Sequence, residues 1–95
     1  MSQTTIQPEL DDVVTHDGGW VVVIFNNDTN TFDEVIRALM EATGCDMQEA
    51  IDETIEAHIT GQAVVHHASQ QECLEVAAVI KLIGVRTEVW PEDQV

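Results

Sequence analysis

Asn26, Asn27 and Asp28 follow directly on the apolar run Val21 to Phe25, and a histidine, His58, sits three residues before Gly61 at the end of a later helical pattern. Two side-chain amides, a carboxylate and a neutral imidazole are all hydrogen-bond acceptors, so together they would form a cup suited to an ammonium group. Taken alone, His58 reads more simply as a packed histidine bonded to a neighbour; the Asn-Asn-Asp turn is what gives it a polar partner. Phe32 and Val35, one helical turn apart just after that turn, supply walls for an apolar hole beside the cup. The chemistry implied is the holding of an amine that carries an apolar substituent.

These groups need a strand and helices to bring them together. Val21-Val22-Val23-Ile24-Phe25 reads as a buried strand because β-branched and aromatic residues suit a pleated, packed surface, and the Asn/Asp cluster ends it. Thr31 with Glu34 spells a capping box, and Phe32, Val35, Ile36, Leu39 and Met40 mark one face of a first helix stopped by Gly44. Asp46 with Glu49 starts a second helix, whose stripe is Met47, Ala50, Ile51, Thr54, Ile55 and Ile59, ending at Gly61. His58 falls at the flank of that stripe, which predicts a half-buried ring. Ala63-Val64-Val65 predicts a short second strand bounded by the polar His66-His67-Ala68-Ser69. Ser69 with Glu72 spells a further capping box, and Cys73, Val76, Ala77, Ile80 and Ile83 form the face of a third helix closed by Gly84. Val85, Thr87 and Val89 alternate with Arg86, Glu88 and Trp90 in a last strand that ends at Pro91. The order β-α-α-β-α-β predicts a two-layer α+β fold, a small three-stranded antiparallel sheet with three helices on one face. Residues 1–19, polar and without hydrophobic period, read as a flexible arm, residues 20–91 as the folded domain and 92–95 as a tail.

Ninety-five residues, 44 % of them apolar, suffice for one core. Eighteen acidic residues against three basic ones give a net charge of −15, a field that repels nucleic acid and anionic lipid and attracts cationic groups such as free amino termini. Cys45 and Cys73 lack CxxC spacing, and no N-terminal segment resembles a signal peptide or membrane span, which predicts a reduced, cytoplasmic protein. An enzyme is not expected: no Ser lies in a nucleophile elbow, no HExxH occurs, and Cys45 has no nearby base. No metal or cofactor is expected either, since His66 and His67, adjacent on a strand, point to opposite faces.

The segment Asn-Asn-Asp-Thr-Asn-Thr-Phe-Asp-Glu-Val-Ile, followed downstream by Ala-His-Ile-Thr-Gly-Gln-Ala-Val-Val, resembles ClpS, the adaptor of bacterial and plastid Clp proteases. The resemblance spans roughly Trp20 to Trp90. It implies a protein of the bacterial cytosol or plastid stroma that binds substrates with an N-terminal Phe, Tyr, Trp or Leu and hands them to the N-terminal domain of a ClpA- or ClpC-type unfoldase. It also implies that Asn26 and His58 hold the substrate's α-amino group together with position 27, where the family usually has Asp and this chain has Asn27. Phe32 matches a hydrophobic gate that is often Met, Asn30 a rim position that is commonly Thr, and Val35 a pocket Val. Thr54 and Ala57 replace bulkier pocket residues, and Val85 falls near a pocket Leu, which together imply a wider or more polar hole. The family's unfoldase contact at the start of the third helix typically includes a Lys, whereas this chain has Gln70-Gln71-Glu72-Cys73-Leu74-Glu75. A ClpS-like module that binds or inhibits an unfoldase without reading N-terminal residues is the alternative.

Overall fold

The computed structural model describes residues 19–95, so all but the last residue of the expected arm lies outside the described residues. Strand β1, Trp20–Phe25, has its four central residues Val21 to Ile24 buried. A strand buried on both faces belongs in the middle of a sheet. It pairs antiparallel with β2 (Gln62–Ala68) on one side and with β3 (Thr87–Pro91) on the other, giving the order β2-β1-β3. Helices α1 (Phe32–Thr43), α2 (Met47–Thr60) and α3 (Gln70–Lys81) form the second layer. The fold is thus the α+β arrangement of three helices with a three-stranded antiparallel sheet.

Val22 and Ile24 enter the core with Leu39, Ala50, Ala57, Cys73 and Ile80. Strand alternation puts Val21 and Val23 on the other face. There Trp90, opposite Val21 in register, meets Phe25 edge-on at 6.1 Å between ring centroids, and the Arg86 guanidinium lies 4.1 Å from the Phe25 ring centre. The Glu88 carboxylate accepts from both Arg86 (2.6 Å) and the Trp90 indole N–H (2.9 Å). That pairing with Arg86, followed by the bond from Trp90, holds Glu88 below the usual carboxylate range.

Four expectations need correction. First, β2 is longer than Ala63 to Val65 and includes both histidines, because they continue the pairing with β1, His66 opposite Val22 and His67 opposite Val21. A register shift between Val22 and Val23 leaves Val65 as the extra residue, a bulge that keeps strand and partner in step. His66 then reaches Glu72 (2.6 Å) and His67 reaches Glu92 (3.3 Å), each meeting its own carboxylate. Second, Glu72 being engaged there, the cap of α3 is one-sided: Ser69 Oγ accepts from the Glu72 N–H, and the return bond of a capping box is replaced by the contact with His66. Third, β3 begins at Thr87, with Val85 buried in the approach to it, and after Pro91 the expected tail starts with a 3-10 turn over Glu92–Gln94.

Fourth, α2 buries Ala50, Thr54 and Ala57, while Met47, Ile55 and Ile59 are 58 %, 41 % and 74 % exposed. Small side chains let the helix backbone approach the layer beneath; larger ones on that face would hold it off. The rotation carries His58 outward, so it is exposed instead of half-buried.

Candidate functional site

The end of β1 is pinned from both sides. Phe25 N–H donates to the Arg86 carbonyl and Asn26 N–H to the Gly61 carbonyl, both at 3.0 Å. Gly61 itself caps α2 with a left-handed φ of 98° and donates its N–H to the Ala57 carbonyl. Asn26 is therefore tied through Gly61 to the last turn of α2, the turn that carries His58. On the other side of the turn, Thr31 Oγ1 accepts from Glu34 N–H (3.1 Å) and Glu34 Oε1 accepts from Thr31 N–H (2.9 Å), a complete capping box that starts α1 at Phe32. The bond from the Thr31 backbone, then that from Asn30, hold the Glu34 carboxyl below its usual range.

Between β1, α1, α2 and the approach to β3 lies a small cleft, open to solvent on one side. A cleft this small suits a single side chain. Asn26, Asn27, Asn30, Phe32, Val35, Thr54, Ala57 and Val85 all line it, so eight of the ten residues that the sequence points to, all but Asp28 and His58, converge. His58 does not line it. Its ring instead meets that of Phe32 edge to face, 5.2 Å between centroids at 73°. Ile24 and Phe25 also line the cavity and were not singled out. Strand alternation is the signal for Ile24: two residues before Asn26 on the central strand, it points into the helix layer.

Thr54 does not make the cavity polar. Its buried hydroxyl donates to the Ala50 carbonyl at 2.7 Å, so its methyl is the branch left for apolar contact. The polar groups gather at the mouth. Asn27 Oδ1 accepts from the backbone N–H of Thr29 (3.3 Å) and Asn30 (3.2 Å), and Asn27 Nδ2 donates to Asn30 Oδ1 (2.8 Å). Asn30 Nδ2 in turn donates to the Ile83 carbonyl (2.9 Å) and to Glu34 Oε1 (3.2 Å). The loop after β1 is thereby tied to the turn before β3.

A separate titratable cluster lies at the start of α2. Cys45, Glu49 and Glu53 follow at intervals of four residues, and one ligand atom from each lies within 4.8 Å of the others. Burial, reinforced by Glu49, pushes the Glu53 carboxyl up to about 8, and its Oε1 is buried without a hydrogen-bond partner among the described residues. Cys73, on α3, is buried in the core, and that burial raises its thiol above the ordinary value.

Among the described residues, no helix is long and apolar enough to cross a membrane. No curated protein sequence matches the chain. Among solved structures, the chain resembles that of Agrobacterium tumefaciens ClpS2 bound to L-phenylalaninamide, with a TM-score of 0.75 and 18 % identity, over 81 % of this chain and 100 % of that one. At that identity the likeness speaks for the fold. The sequence itself matches the family described as ATP-dependent Clp protease adaptor protein ClpS over residues 15–85, most of its length. The chain belongs to the ClpS family of Clp protease adaptors.

Proposed function

We propose that this adaptor binds the N-terminal residue of substrate proteins and delivers them to a ClpA- or ClpC-type unfoldase in the bacterial cytosol or plastid stroma. The observation that carries the proposal is the cavity at the β1–α1 junction, apolar within and rimmed by amides. A large apolar first side chain enters between Val35, Thr54, Ala57 and Val85, with Phe32 as gate. Asn26 and His58, next to the mouth, accept from the α-ammonium group, and the acidic surface concentrates such cations around the protein.

Magnitudes agree with reversible capture. Burial of one large apolar side chain contributes about 1.5 to 3 kcal/mol, and each net hydrogen bond about 0.5 to 1.5, more to an ion. After association costs, an affinity around micromolar, roughly −8 kcal/mol, is the upper end for so small a contact. The small Thr54 and Ala57 favour Trp and Phe over Leu as first residue.

A second reading, binding or inhibition of an unfoldase without recognition of N-terminal residues, draws on the lack of a basic residue in Gln70–Glu75 at the start of α3. Degradation of a Phe-initiated reporter by a Clp unfoldase and its peptidase, with and without this chain, separates the two. Delivery predicts faster loss of the Phe-initiated reporter than of one initiated by Ser. Equal slowing of both reporters would overturn it in favour of inhibition.

A further inference from the structure

The amides of Asn27 and Asn30 are oriented from both ends. Asn27 Oδ1 must face the two backbone N–H groups of Thr29 and Asn30, so its Nδ2 must face Asn30. Asn30 Nδ2 must face the Ile83 carbonyl and the Glu34 carboxylate, two acceptors, so its Oδ1 must face Asn27. Neither amide can flip without setting oxygen against oxygen. The acceptor capacity of Asn27 Oδ1 is filled by its two bonds, and one of the Nδ2 protons is engaged.

We infer that Asn27 and Asn30 are a matched amide pair that positions the cavity mouth, and that Asn27 acts as a positioning residue and not as a ligand of the incoming amine. A carboxylate at position 27 would put its second oxygen against Asn30 Oδ1, and Asn30 could turn its NH₂ toward it only by aiming its oxygen at the Ile83 carbonyl and Glu34. A hydroxyl at position 30 relieves this, because it can donate to a carboxylate at position 27. Asn27 and Asn30 therefore fix each other's orientation, and a change at one is expected to be felt at the other.

The pairing stands on the hydrogen bonds; only its consequence for amine binding rests on the proposed function. The test is a cycle of N27D, N30T and N27D/N30T in the full chain, read by thermal melting at pH 7.5 and pH 4 and by affinity for a Phe-initiated peptide. At pH 7.5 each single variant should melt roughly 5 °C below the parent, and the double variant should melt well above the sum of the two losses. At pH 4 the N27D deficit should shrink by half or more, because the carboxyl introduced at position 27, once protonated, can donate to Asn30 Oδ1. If N27D does not fold at pH 7.5, folding of the double variant there supports the pair, and failure of both contradicts it. Additive losses that do not change with pH would overturn the pairing. In the binding arm, N27D should weaken the peptide about tenfold and N30T should restore most of that. Tighter binding by N27D with unchanged melting would overturn the positioning role. A parent that binds no such peptide would remove the proposed function while the melting cycle still decides the pair.

Discussion

The imidazole of His58 stands edge to face with the ring of Phe32, 5.2 Å between centroids, so the last turn of α2 and the first residue of α1 share one corner of the cavity mouth. Both rings are exposed, Phe32 by 46 %. Exposed side chains contribute little to folding, so their contact belongs more to the site than to the core. Substituting His58→Ala should change the unfolding free energy by less than about 1 kcal/mol while weakening a Phe-initiated peptide by about tenfold or more, the loss of one hydrogen bond to an ion. Chemical denaturation and fluorescence anisotropy on the same preparation check both halves.

Phe32→Ala removes the gate and the wall it forms. Stability should fall by no more than about 1 kcal/mol, since half the ring already faces solvent. Discrimination should fall more: peptides beginning with Ile or Val should gain relative to those beginning with Phe. A panel of first residues on one peptide body, measured with both proteins, reads the change as a ratio of affinities.

Thr54→Val keeps the volume and deletes the hydroxyl bonded to Ala50. If the methyl is what meets the ligand, peptide affinity should stay within about twofold, with a stability cost of roughly 0.5 to 1.5 kcal/mol. Thr54→Met, which fills the hole, should instead cost affinity for Trp more than for Leu. Isothermal titration with the Trp, Phe and Leu peptides distinguishes filling from loss of polarity.

Much of this was legible in the residues because it was local. Thr31 with Glu34 and Asp46 with Glu49 needed only a spacing of three, and both caps form. Thr54 and Ala57 lie three apart, so one helix necessarily presents them together, and Asn26 to Val35 are contiguous across a single turn. What the residues hid was set by tertiary contact. Met47, Ile55 and Ile59 look like a core stripe, yet the smaller Ala50, Thr54 and Ala57 win the buried side because they admit closer packing. That rotation, invisible in the pattern, is what places His58 outside. His66 and His67 look like a polar turn but are held in β2 by pairing with β1. The bonds joining Asn27, Asn30 and Ile83 span 53 residues between Asn30 and Ile83 and require the folded loop.

Glu53 predicts a pH dependence. Its carboxyl rises from 4.5 to about 8 on folding, chiefly through burial, then through Glu49 and the nearby Glu56 and Asp52 charges. Between those values the folded protein binds a proton that the unfolded chain releases, so this group's contribution is fully present below about pH 4.5 and is lost as pH rises through 8. Glu53→Gln should remove that slope. The variant should match the parent near pH 5 and exceed it near pH 8.5 by on the order of 1 kcal/mol, allowing for the screening of a group only about half buried. Urea melts at the two pH values give the comparison.

Recognition of a free α-amino group beside a large apolar side chain is the role proposed for the cavity mouth. Its most direct measurement is fluorescence anisotropy with one labelled peptide beginning with Phe, compared with the same peptide acetylated at its N-terminus. Acetylation leaves the side chain intact and removes the charge and two of the ammonium donors. A dissociation constant around micromolar is expected for the free peptide, with a loss of about tenfold or more on acetylation. Equal binding of the two peptides would contradict that role.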